Sequence, residues 1–160
     1  ISELVLPADF DSLADAHWDI LTFEACRALA FERYTFPELC STTLHKLFET
    51  GSAVSVSRYR SAQATAGKCR ALFDQLMRES GVDAVISPAA PGEAPIGIDN
   101  TGDPIINRPW TALHVPCITL PLLSGPSGLP IGLQFAGRFG EDAALLHVAE
   151  WVEAKWPAAA

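Results

Sequence analysis

The apolar positions of this chain fall into runs of two different periods. The opening "ISELVLP" alternates, which predicts a strand closed by Pro7. Asp9 or Asp11 can then cap a helix. Leu13, Ala16, Ile20, Phe23, Ala28 and Phe31 recur at helical spacing and predict one amphipathic helix from Leu13 to Tyr34, interrupted by "TFPEL". A short helix over Ser41–Phe48 follows, capped by Ser41 or Thr42 and ended by Gly51. Tyr59, Ala62, Ala66, Cys69, Leu72, Phe73 and Leu76 mark one face of a long helix, with Gly81 as its C-terminal cap.

The second half reads differently. "VDAVISP" is a short β-branched run ended by Pro88, the pattern of a buried strand. From Ser87 to Pro109 prolines and glycines accumulate and no apolar period survives. A loop of that length in a compact domain is more often functional than idle. "WTALHV" predicts one or two helical turns, and "PCITLP" a buried strand between Pro116 and Pro121. "LLSGPSG" is a turn, and "LPIGLQFAGR" is a strand in which Gly132 marks a close backbone approach. After a break at Gly140, Glu141 and Asp142 sit on the first turn of a last helix, where negative charge suits the helix dipole. Leu145, Val148, Ala149, Val152 and Trp156 form its buried stripe, and the terminal "PAAA" is expected to fray. The short "SGPSG" connection favours a hairpin between the last two strands over a crossover. The fold class predicted is α/β, a mixed β-sheet flanked by helices. One domain spans 1–160: residues 1–80 are mainly helical cover after one strand, and 81–160 carry strands, a pocket loop and the final helix.

Composition narrows the function classes. Apolar residues make up 49% of the chain, enough for a globular core. The net charge is -8, and no Lys/Arg run or basic aromatic stripe occurs, which argues against a nucleic-acid partner. No apolar run approaches the ~18 residues that suggest a membrane span. Cys26, Cys40, Cys69 and Cys117 are scattered without a CxxC pair and read as buried free thiols of a cytoplasmic protein.

Candidate chemistry is sparse outside the loop. His17, His45, His114 and His147 form no HxxxH or HExxH, so neither a metal nor a cofactor is expected. No GxGxxG, phosphate loop or GxSxG elbow occurs. Ser52, Ser55 and Ser57 precede Lys68 by a few helical turns, but cap and loop roles account for them better than a Ser–Lys pair. The polar and aromatic set Asn107, Arg108, Trp110, Thr111 and His114 stands between the loop and a buried strand, either lining a pocket or, for Trp110 and His114, simply packed under the loop.

Two stretches then point further. "DAVISPAAPGEAP" and "NRPWTALHVPCITLPLLSGPSGLPIGLQFAGRFGEDAALLHVAEWVE" resemble the C-terminal part of the amidase signature family. Asp83, Ser87 and Pro88 match its aspartate-led strand. Gly128, Leu129, Pro130, Gly132, Leu133, Gln134, Gly137, Asp142, Leu145, Leu146 and Ala149 match its last strand and helix. The opening "LVLP" and a helix carrying Glu24 agree. Thr111 and His114 depart, standing where the family often has Asn and Gly. The resemblance implies an enzyme that hydrolyses a small-molecule carboxamide, with substrate contacts from Trp110, His114, Arg108 and Thr111. It also implies that the family's catalytic lysine and serines lie upstream of the matched region, so no catalytic residue is assigned here. On this reading the chain is the C-terminal portion of an amidase, inactive alone. It packs against the N-terminal part of the same enzyme and is free to form homo-oligomers. Two alternatives stay open: the A-type subunit of a glutamine-dependent amidotransferase, and a non-catalytic binding or scaffold domain.

Overall fold

Residues 1–98 and 100–156 are described by a computed structural model, and the terminal "PAAA" lies outside them. They form two units, Leu6–Cys69 and a second made of Ile1–Val5 with Arg70–Ala160.

The first unit is helical. After a 3₁₀ turn at Ala8–Ser12 come α1 (Leu13–Ala28), α2 (Ala30–Thr35), α3 (Thr42–Ala53) and the start of α4 (Val56–Ser80). The single helix predicted over Leu13–Tyr34 is divided at Leu29. Backbone bonds from Leu29 to Ala25 and from Arg33 to Leu29 still cross the break. Pro37 ends α2, because it pushes Phe36 out of the helical region, to φ -134 and ψ 51. Ser41 caps α3, its Oγ accepting from the Leu44 amide at 3.2 Å.

Gly51 does not end α3; it lies inside the helix and is buried. A Cβ there would overlap the Thr22 carbonyl oxygen and sit 2.9 Å from the Cys26 Cβ. The residue lets the α1 and α3 backbones touch. The face of α1 that meets α3 carries Thr22 and Cys26, the Cys26 thiol donating to the Phe48 carbonyl at 3.6 Å, while Phe23 stacks on Tyr59 of α4 at 4.1 Å. Asp19 is also buried on α1, and its carboxylate takes the Arg58 guanidinium at 2.6 Å.

The second unit holds the sheet. β1 (Val85–Pro88), β2 (Cys117–Ser124) and β3 (Pro130–Ala136) lie in the order β1-β3-β2, with α5 (Asn107–Leu113) between β1 and β2 and α6 (Asp142–Lys155) at the end. The α/β class stands. Within it both ladders are antiparallel rather than mixed: the β2–β3 turn makes a hairpin, and β1 joins the far side of β3. Phe135 of β3 faces Ile86 and Ile118 across the two ladders. β2 runs through Pro121 to Ser124 instead of stopping there. The register shifts between Leu120 and Leu123, as a residue without an N–H requires. Leu145 and Ala149 of α6 close the core over Leu120 and Phe135.

Ile1–Pro7 is not a strand. Its first residues lie in a cleft with Val82–Ile86 and Trp151, without joining the ladder of β1. Alternation reports which side of an extended segment is covered, and does not by itself supply a hydrogen-bonding partner. No described helix is long and apolar enough to cross a membrane.

Candidate functional site

The long loop leaves the sheet at Pro88 and returns at α5, and one line of amides fixes both ends. The Ala89 amide donates to the Gly132 carbonyl at 3.0 Å, carrying the β1–β3 ladder one step into the loop. Asn107, first residue of α5, donates from Nδ2 to the Ala89 carbonyl at 3.1 Å. Its Oδ1 accepts from Gln134 Nε2 at 2.7 Å. The Oε1 of Gln134 in turn accepts from the Ser87 hydroxyl at 3.4 Å. Each amide side chain both donates and accepts, a combination that among side chains suits Asn and Gln for linking buried partners in series. Gln134 is only 6% exposed, so its polar ends need this line.

The far side of the loop is held by Glu93. Its carboxylate accepts from the Ser127 amide at 2.9 and 3.1 Å and from the Leu129 amide at 3.1 Å, inside the β2–β3 turn. Between these two attachments lies a cleft of about 400 Å³, bordered by Ala89–Pro95, Thr101–Pro104, Asn107, Pro130 and Gly132. Gly132 is needed for the close approach: a Cβ there would overlap Thr119 Cγ2 and meet Ala89 Cβ at 3.1 Å.

The four residues singled out from the sequence share the α5 region but not one cleft. Trp110 is buried, its ring edge-on to Phe73 at 5.8 Å. Its indole Nε1 finds no acceptor among the described residues. Thr111 turns its hydroxyl back to the Asn107 carbonyl at 3.0 Å. Arg108 is half-buried. His114 follows α5 with φ 58 and ψ 32, a left-handed conformation, and borders a separate cleft with Arg70. That conformation explains why a glycine would be at ease where His114 stands.

Asn107 borders the loop cleft, while Gln134 and Glu93 fix the wall, and neither of these two is among the site residues that the sequence predicts. The signal for Gln134 was a polar side chain inside the apolar strand "GLQFAG". Glu93 carried none, since its partners are backbone amides 34 and 36 residues away.

The serines near Lys68 are accounted for locally. Ser55 accepts from the Arg58 amide at 3.2 Å at the start of α4, and Ser52 lies 3.3 Å from the Cys26 sulfur. Lys68 pairs with Asp9, whose hydrogen bond and charge hold the ammonium above its usual range. A lysine kept protonated is a poor general base. Burial pushes the Cys69 thiol up, away from the reactive thiolate. Among the described residues no three His, Cys, Asp or Glu side chains gather to hold a metal ion.

Comparison with known proteins agrees with this layout. The Amidase family model matches residues 5–146. The A-type subunit of the glutamyl-tRNA(Gln) amidotransferase of Xanthobacter autotrophicus is 36% identical over 112 residues, which is 62% of this chain and 22% of that protein. The A-type subunit of the human mitochondrial glutamyl-tRNA(Gln) amidotransferase is 37% identical over 83 residues, 46% of this chain and 16% of that protein. A crystal structure of an amidase superposes with a TM-score of 0.82 at 27% identity, covering 92% of this chain and 36% of that one. This chain therefore spans a minor part of the length of the proteins it matches. The family match runs through the loop, the amide line, the final strand and the first turn of α6, and the chain belongs to the amidase family.

Proposed function

We propose that this chain forms the substrate-side wall of an amidase, which hydrolyses the C–N bond of a small-molecule carboxamide to an acid and ammonia or an amine. The observation that carries the proposal is the family match over residues 5–146, within which the loop cleft and its Asn107–Gln134 line fall. Amide hydrolysis needs a nucleophile and preorganised N–H donors about 3 Å from one carbonyl. The wall's part is to hold the carboxamide in register for them, a positioning effect and not a chemical step. Asn107 reaches the cleft directly. Trp110 supports α5 from beneath, and Arg108 and Thr111 extend the wall along the same helix, while His114 stands past its end beside the Arg70 cleft. The chain alone is inactive on this reading. Incubated with benzamide or acetamide, it releases no ammonia above the buffer rate; release at an enzyme-like rate overturns the proposal.

A second reading is the A-type subunit of a glutamine-dependent amidotransferase working with partner subunits. It is favoured by the curated relatives, which carry that description at 36 and 37% identity. The two readings separate on ligand choice. A thermal-shift titration of the enzyme containing this chain is expected to respond to neutral aryl amides and not to glutamine. A preference for glutamine selects the second reading.

A further inference from the structure

A second cleft, of about 420 Å³, opens at the C-terminal end of α5, and its lining shares no residue with the loop cleft. Arg70 of α4 borders it, half-buried and fixed in direction. Its Nε–H donates to the Ala112 carbonyl at 2.8 Å, and its Nη2 donates to His114 Nε2 at 2.8 Å. Guanidinium has no acceptor, so the imidazole nitrogen must be the acceptor and unprotonated at that atom. The Ala112 carbonyl and the His114 ring use two of its five donors.

The other cation of the cleft is already matched. Arg78 donates to Asp74 at 2.9 Å, and the second oxygen of the same carboxylate takes Arg138 at 3.2 Å. Among the described residues no carboxylate pairs with Arg70. The same cleft is also lined by the apolar Leu113, Val115 and Phe139, the last 72% exposed. An oriented guanidinium with no carboxylate partner among the described residues, in one cleft with an exposed aromatic ring, is complementary to an anion with a flat apolar body. A planar carboxylate matches the guanidinium fork, and the Asp74 charge in the same cleft disfavours a dianion such as phosphate.

We infer that this cleft binds a small monocarboxylate, its oxygens on Arg70 and its apolar body against Leu113, Val115 and Phe139. The inference does not depend on the amidase reading, because its test is binding to this chain.

The test is a calorimetric titration of the chain with benzoate, with benzamide as the uncharged isostere and with inorganic phosphate. Benzoate is expected to bind saturably, with benzamide and phosphate each weaker by about tenfold or more, the loss of one charge-assisted contact. Arg70→Gln should weaken benzoate by the same order. Phe139→Ala, which removes only the exposed ring, should weaken benzoate and benzamide alike. If Arg70→Gln disturbs the far-ultraviolet circular dichroism, Arg70→Lys, which keeps the charge but loses the fork, takes its place and should still weaken benzoate. Equal binding of benzoate and benzamide, preference for phosphate, unchanged affinity in either arginine variant, or no benzoate binding at millimolar concentration each overturns the inference.

Discussion

Asn107 is the residue on which the loop cleft depends most directly. Replacing it by alanine removes the acceptor of Gln134 and the donor to Ala89 together, leaving buried polar groups unmatched. The expected cost is about 1–3 kcal/mol in urea unfolding, with faster amide exchange in the loop. Asn107→Asp keeps the acceptor for Gln134 but faces the Ala89 carbonyl with a second oxygen, so it should fall between wild type and alanine. Asp74 gives a pH test. Its carboxyl is held below the ordinary carboxylate range, chiefly by the hydrogen bond from Arg78 and further by Arg138. A depressed folded value means stability that is present above the unfolded value, about pH 4, and lost as pH falls through the folded one. The urea midpoint should therefore favour wild type over Asp74→Asn near neutrality, and the gap should close on acidification. A gap independent of pH would show that the ion pairs contribute nothing. At this scale the sequence marked Asn107 by its place beside a proline-rich loop. It could not mark Arg70, an ordinary helix arginine until folding sets it against His114 and Ala112.

Elements were legible where their period was long and their ends were chemically signed. Ser41 caps α3 and Gly81, at φ 63, follows α4, each where the pattern predicted. Gly51 shows the limit. A glycine near a helix end reads as a terminator, yet here it is a contact point between two helices, a property of the neighbour and not of α3. Gly51→Ala places a methyl group into the Thr22 carbonyl and should cost about 3 kcal/mol or more, read as a lower urea midpoint. A cost near zero would show that α1 and α3 shift apart freely. The loop is an element of a different kind, held at one end by Glu93 in the hairpin turn. Glu93→Gln keeps the shape and removes the charge. Amide exchange at Ser127 and Leu129 should rise about tenfold, with the loop beside them loosening. Unchanged exchange there would mean the carboxylate is not the latch.

For the whole molecule, the exposed apolar surface is the feature with consequences. Ile86 on edge strand β1 and Leu146 and Trp151 on α6 are large and exposed. An unpaired edge beside apolar side chains favours association, and homo-oligomers are the outcome expected at raised concentration. Size-exclusion elution should move to larger species as concentration rises, and Trp151→Lys should reduce that shift. Elution independent of concentration in the wild type would remove the expectation. The helical stripes and the last strand-turn-helix were set by the sequence itself, because side-chain period is a local consequence of residue order. The family resemblance was carried by the same stretch. Only the tertiary structure decided that both ladders are antiparallel, that Ile1–Pro7 joins neither, and that Gln134 and Glu93 hold the loop. Those outcomes rest on contacts between residues distant in the chain. Such contacts form when two surfaces fit, and neither surface alone announces the other.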